Sequence, residues 1–257
     1  MKLDLNSDLG ESFGAWTMGH DEAMLDIVTS ANIACGFHAG DPLVMHRTMV
    51  AAQARSVSIG AHPGFLDLWG FGRRPIQGDR PEEIEKMVIY QIGAAAALAQ
   101  SLGLRLAHIK AHGALANQAM VDPDLARALA RATRAVDRDL IVVVMPGLAL
   151  EKAALAEGLL VAREVYADRT YDDDGNLTSR KKPGAVIEDA DVATQRILAM
   201  LDDGAITTTT GKRLPIAVDT ICVHGDNTHA VAMAGSLRAA LDKAGCTLAP
   251  FPSFLRA

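Results

Sequence analysis

Short apolar runs alternate with longer amphipathic stretches along this chain, a rhythm that predicts parallel β/α units. Strands are expected near 2–9, 30–36, 57–62, 105–112, 140–145, 159–166 and 216–224. Helices are expected near 20–28, 42–55, 81–102, 122–136, 148–156, 189–203 and 228–244. The run LIVVVM, closed by Pro146-Gly147, is apolar at every position, as a parallel strand buried on both faces should be. Asp41-Pro42, Asp79-Arg80-Pro81-Glu82 and Asp122-Pro123 each set an acidic cap just before a proline of the first helical turn.

Seven strands with helices between them point to one irregular (β/α) barrel domain over residues 1–257, about seven parallel strands and one short of the usual eight. An open doubly wound sheet is the alternative. Two stretches break the rhythm: LWGFGRRPIQGD at 68–79, and the longer 168–184, which has the length of a functional lid.

Polar residues recur with a period of two inside several strands, so they share a face. Asp4, Asn6 and Asp8 form one such set, and His108, Lys110 and His112 another. Ser58, Gly60 and His62 align in the same way, as do Cys222 and His224. If these faces turn inward, the lumen is polar over much of its depth. Unpaired groups there would be costly, so a hydrogen-bonded or metal-bound site is expected.

Composition narrows the class. Hydrophobic residues make up 49% and aromatics only 4%, so Ala, Val, Leu and Ile build the core. A net charge of −6 with no basic stripe leaves no footprint for nucleic acid. No apolar run reaches the ~18–20 residues of a membrane span. The N-terminus enters a strand pattern at once, without the look of a secretory leader. Three scattered cysteines fit neither a disulfide framework nor a zinc ribbon, and a cytoplasmic location is expected.

Five of the eight histidines stand on or at the end of an expected strand: His38, His62, His108, His112 and His224. Asp8 and Glu11 stand at the end of the first. In α/β barrels the chemistry sits at those carboxyl ends. Any one such histidine is more often a core or surface residue; five together suggest a single polar site. Asp8 with His38 and His62 would make an open two-His-one-carboxylate metal site, although spacing does not choose among the histidines, and HExxH and paired-Cys motifs are absent. Lys110 could offset a developing oxyanion or sit in a structural ion pair. Glu164 and Asp168 are candidate bases, and Arg169 is a candidate carboxylate clamp. Gly70-Phe71-Gly72-Arg73-Arg74 could close over an anion through Arg73 or Arg74, but it is not a dinucleotide fingerprint. Gly211-Lys212-Arg213 is not a P-loop, Asp172–Asn176 is not a calcium loop, and no GxSxG occurs.

The segments LNSDLGESFGAW, SANIACGFHAGD, GAHPGF with GFGRR, KAHGAL, REVYADR with DGNL and PGAVI, and ICVHGDN occur in that order. Together they resemble the LamB/YcsF family from the first strand to the last helix. The resemblance implies a barrel related to those of glycoside hydrolases and sugar deacetylases. It also implies 5-oxoprolinase activity, the opening of the 5-oxoproline lactam to L-glutamate with ATP as co-substrate, in a complex with subunits B and C. The family's KPHGALYN reads KAHGALAN here, with Ala111 and Ala116; Ser7 and Thr228 also depart from its usual residues. No charged or histidine position is lost, so substrate choice is what Ala116 could alter.

The absent P-loop fits that implication, since a partner would then phosphorylate the lactam oxygen. On this reading Asp8 with His38 or His62 activates water, and Lys110 and His112 stabilise anionic oxygens. His224 and Asp226 orient or protonate the ring nitrogen, while Asn6, Glu11, Arg73, Arg74, Glu164, Asp168 and Arg169 surround the substrate. A rival enzyme reading is a stand-alone metal-dependent deacetylase or amidohydrolase acting on an N-acyl sugar. A third is a non-catalytic module that binds a lactam or sugar, against which the many titratable groups argue.

Overall fold

The computed structural model describes residues 1–256. Seven parallel strands close into a barrel: β1 (Lys2–Leu9), β2 (Ser30–Ala34), β3 (Ser58–His62), β4 (His108–Ile109), β5 (Ile141–Val144), β6 (Val161–Tyr166) and β9 (Thr220–Cys222). Each pairs with the next, and β9 returns to β1 through Asp4↔Thr220 and Asn6↔Cys222. The expected (β/α) barrel is therefore the observed fold, and the open sheet is not.

Helices cover the outside: α1 (Asp21–Leu25), α2 (Pro42–Ala54), α3 (Pro81–Ser101), α4 (Gly113–Val121), α5 (Pro123–Val136), α6 (Ala149–Ala156), α7 (Ala190–Asp203) and α8 (Thr228–Lys243). Asp41, Asp122 and Asp189 cap α2, α5 and α7, each accepting from two backbone amides. Asp79 is not the cap of α3. There the Arg80 amide donates to Glu83 Oε2 at 2.8 Å, so the local carboxylate three residues on takes that role.

Additional elements appear where the pattern is too short to read. Helix α4 follows β4 with only Lys110–His112 between, and its nine residues carry no capping side chain. A hairpin of β7 (Ala205–Thr207) and β8 (Arg213–Pro215) has three residues per strand. At the opposite end β10 (Thr247–Leu248) pairs with Lys2 and Leu3, and the single turn α9 (Pro252–Leu255) follows it. No described helix is long and apolar enough to cross a membrane.

The two faces of the sheet have opposite chemistry. Leu3, Leu5, Leu9, Ile33, Ile59, Ile109, Val142, Val144, Val165 and Ile221 are buried in the layer between strands and helices. The intervening residues face the lumen. Along β5 and at the start of β6 those are Ile141, Val143 and Ala162, which pack on Phe251 and plug the bottom of the barrel. Glu164 and Tyr166 further along β6, and most inward positions of the other strands, are polar, as their alternation predicts. Gly60 is where close approach matters: a Cβ there would overlap the His108 ring, so only glycine lets this imidazole cross the lumen.

Candidate active site

The lower lumen is a hydrogen-bonded relay. Fully buried His108 faces Asn32 Oδ1 through Nε2 at 2.7 Å. The Asn32 amide donates to Asn6 Oδ1 at 2.7 Å and Asp8 Oδ1 at 2.9 Å. Asn6 donates in turn to Glu164 Oε1 and Thr220 Oγ1. Beneath it Asp4 accepts from the hydroxyls of Thr29, Ser30 and Thr220. Burial raises Asp4 to a pKa of about 6 despite those donors, and burial, with help from Lys110, lowers His108 to about 3.

Lys110 sits above this relay, 4% exposed. Its Nζ lies 2.7 Å from Glu164 Oε1, 3.2 Å from Asp8 Oδ1, 3.2 Å from Asn6 Oδ1 and 3.1 Å from Cys222 Sγ, with the Tyr166 ring 5.3 Å away. Burial opposes its charge, but Asp8, Cys222 and Glu164 outweigh burial and hold it protonated. Burial likewise opposes the charge on Asp8. His62, Lys110 and His224 pull the other way and keep this carboxyl well below its usual range. A buried cation beside the ionised Asp8 is thus the centre of the cavity.

Four residues converge higher up. His62 Nε2 lies 3.1 Å from His112 Nδ1 and 3.3 Å from Asp8 Oδ2. Glu11 Oε1 lies 3.6 Å from His112 Nδ1 and 3.4 Å from His38 Nε2. The loop 68–79 bears on this group. Phe71 and Gly72 are both in the left-handed region, at φ +55° and +60°. That turn aims the Phe71 carbonyl at His112 Nε2, 2.8 Å away. A Cβ at Gly72 would stand 2.8 Å from both His38 and His112, so glycine allows the loop to press on the rings. His38 is fully buried and stacks on His112 with centroids 3.7 Å apart. Burial depresses the pKa of both, with neighbouring histidines adding to it, and His112 falls to about 3. Burial also raises Glu11, followed by the charge of Asp8.

These groups open on a cavity of about 470 Å³ lined by Asp8, His62, Arg73, Lys110, His112, Tyr166, Arg169, Arg180 and His224, among others. His224 Nδ1 is 2.9 Å from Asp168 Oδ2; burial disfavours its charged form, but Cys222 and Asp168 prevail and raise its pKa well above the ordinary value. A second cavity of about 440 Å³ lies beyond this pair and includes exposed Asp226.

Of the candidates read from sequence, Asp8, His62, Lys110, His112, His224, Arg73 and Arg169 therefore line one cavity, with Asn6 and Glu164 beneath. His38 and Glu11 face a neighbouring apolar pocket with Trp16 and Trp69. Arg74 pairs with Asp67 instead of pointing inward. Arg169 spends its guanidinium on the carbonyls of Thr178 and Ala185, pinning the long loop 168–184 over the cavity. That loop also brings Asn176, Ser179, Arg180 and Lys181, which sequence reasoning missed. Asn32 and Tyr166 were missed as well; each lies two residues along from a polar lumen position, so strand alternation was the available signal.

Comparison with known proteins agrees with this geometry. The LamB/YcsF family model matches residues 3–256. A relative from Rhodopseudomonas palustris (strain BisB5), named as the A subunit of 5-oxoprolinase, is 56% identical over 251 residues, spanning 98% of this chain and 99% of its own length. The crystal structure of a lactam utilization protein from Thermus thermophilus superposes with a TM-score of 0.91 at 42% identity, covering 97% of this chain and 99% of that one. The catalytic domain of a peptidoglycan N-acetylglucosamine deacetylase from Eubacterium rectale ATCC 33656 shares the fold alone, at TM-score 0.51 and 12% identity over 97% of this chain and 87% of that one. By the family match and these relatives, the chain belongs to the LamB/YcsF family.

Proposed function

We propose that this chain is the hydrolytic component of an ATP-dependent 5-oxoprolinase, opening 5-oxo-L-proline to L-glutamate with partner subunits B and C. The observation that carries this reading is the buried Lys110 cation beside ionised Asp8 in the cavity. Such a pair offers one pole for a developing oxyanion and another for a water proton. The names of the relatives support the substrate, and the absence of a P-loop supports placing ATP chemistry on a partner.

A partner transfers the terminal phosphoryl group of ATP to the lactam oxygen, which makes the ring carbon electrophilic. Asp8, with His62 beside it, orients a water and takes its proton as oxygen bonds to that carbon. Lys110 stabilises the negative oxygens, whereas the one N–H of neutral His112 is spent on the Phe71 carbonyl. The ring C–N bond then breaks with its electron pair on nitrogen, and the protonated His224, set by Asp168, supplies a proton. The acyl phosphate so formed takes a second water and releases phosphate. Arg73 at the cavity mouth and Arg180 of the loop supply positive charge for the carboxylate or phosphate.

Glutamate release from 5-oxoproline is the test, with this chain, its partners and ATP each omitted in turn. Release only from the complete mixture is expected; no release from folded, associated partners overturns the reading. The stand-alone metal-dependent amidohydrolase draws on one specific observation, the imidazole cluster above Asp8, and predicts ATP-independent amide hydrolysis by this chain alone.

A further inference from the structure

The proposed reaction uses His62 but leaves the way it faces His112 unexplained. His62 Nδ1 lies 2.7 Å from the Lys110 carbonyl, and His112 Nε2 lies 2.8 Å from the Phe71 carbonyl. A carbonyl only accepts, so both of those ring nitrogens carry the hydrogen. In the neutral rings the other two nitrogens are bare, yet these are the atoms held 3.1 Å apart. Two lone pairs at that distance require a cation between or beside them.

A proton on His62 would settle one contact. It would not settle Glu11, whose Oε1 points at the same place from 3.6 Å and is buried without a hydrogen-bond partner among the described residues. The separations fit a metal ion better. With bonds of about 2.0–2.1 Å, two ligand atoms of a tetrahedral ion stand roughly 3.3–3.4 Å apart, and the observed pairs bracket that length. The rings of His62 and His112 cross at 88°, so both lone pairs can meet at one point. His38 cannot join them in its present orientation. Its ring is parallel to His112 within 3°, so one ion cannot lie in both ring planes.

We propose that Glu11, His62 and His112 form a three-ligand site for a borderline transition-metal dication of the zinc or cobalt type, with His38 as a positioning residue behind Glu11. Two imidazoles and one carboxylate suit such an ion and disfavour magnesium or calcium, which take oxygen ligands. The carbonyls of Lys110 and Phe71 are the outer partners that fix each ligand's tautomer, and His38 Nε2, 3.4 Å from Glu11 Oε1 and not bonded to it without the ion, would hold the carboxylate once it ligates. The left-handed backbone at Phe71 then has a purpose, since it aims a carbonyl at a ligand. Asp8 stands next to the ion through His62, where a metal-bound water would lie within reach of the proposed base.

This inference rests on the reading of the cavity as the hydrolytic site, but its test does not. The purified chain, stripped with chelator and dialysed, is titrated with cobalt or zinc by calorimetry, and the visible spectrum of the cobalt form is recorded. One ion per chain is expected, with a low-symmetry cobalt spectrum. Saturable binding should be lost in Glu11→Gln and His112→Gln and weakened about 10–100-fold in His38→Phe, an outer-partner effect. Circular dichroism checks that each variant is folded; wild type itself decides the outcome if a variant is not. No stoichiometric ion in folded wild type overturns the proposal and leaves a shared proton in its place, and so does binding indifferent to both ligand variants. Glutamate release by the metal-stripped complex is measured in parallel. Metal bound without any glutamate release would sink the hydrolase reading alone; full release by stripped protein with no ion bound would sink the metal site alone.

Discussion

The lower and upper halves of this barrel interior are built from the same residue types and differ in how completely they are hydrogen-bonded. Below, Asp4, Asn6, Asn32 and Thr220 bond to one another across three strands, and of the His108 ring only Nδ1 lacks a partner. Above, Glu11 Oε1 and both nitrogens of His38 have no hydrogen bond among the described residues, and bare nitrogens of His62 and His112 face each other. A buried polar group left unpaired costs about 1–3 kcal/mol. Satisfied networks hold a fold in one arrangement, whereas unsatisfied clusters are what a ligand or reacting group completes. The lower half thus reads as scaffold and the upper half as site, with Lys110 and Asp8 joining them.

That division is broken most severely if Asp8→Asn leaves turnover intact. The substituted amide would keep the contact from Asn32 in shape but remove the ionised oxygen beside Lys110 and His62. Glutamate release by the reconstituted complex should fall about 10³-fold, within the range for a lost acid–base group, while circular dichroism still shows the folded barrel. Unchanged kcat would move Asp8 into the scaffold.

The next effect belongs to the lower half and is a pH dependence. An ordinary Asp carboxyl titrates near 3.8 in the unfolded chain, and Asp4 near 6 in the folded one. The folded protein therefore binds more protons between these values, so this group's contribution to stability falls as pH rises from about 4 to 6 and is flat above. The difference is about 3 kcal/mol at 1.36 kcal/mol per pKa unit. Asp4→Asn removes this decline, so urea unfolding of both proteins from pH 4 to 7 should shift in the variant's favour by that amount. A constant difference across the range would show that Asp4 ionises as easily as in water.

Much of this was legible in the sequence, and the exceptions have physical causes. Period-two alternation placed Asp4, Asn6, Asp8, His108, Lys110 and His112 on the inner face, because side-chain direction in a strand depends only on parity. The seven strands were readable for the same reason, since their opposite faces are apolar rows broken only at positions such as Ser7 and Arg163. What parity cannot give is distance around the barrel. His38 stacks on His112 and faces Glu11 rather than Asp8 because the turn at Phe71-Gly72 sets its ring, a tertiary effect with no local sign. Arg74 and Arg169 looked free and are committed to Asp67 and to loop carbonyls. Arg180 and Lys181 reach the cavity only because the pairing Arg169↔Val186 folds their loop back.

The finest test sets Asn32 against His38, two fully buried lumen-side residues. Asn32→Ala strips partners from Asn6, Asp8 and His108 at once, so destabilisation of about 2–3 kcal/mol is expected in denaturant unfolding. His38→Leu in the metal-free chain removes a ring whose two nitrogens bond to nothing, at nearly constant volume. Replacing an unpaired polar group by an apolar one is near neutral, so the change should lie within about 1 kcal/mol of wild type, on either side. The contrast matters more than either value. If both substitutions cost the same, the upper cluster is held by bonds that its geometry does not display. If only Asn32→Ala is costly, His38 is retained at no benefit to stability, as expected of a residue kept for what the site does.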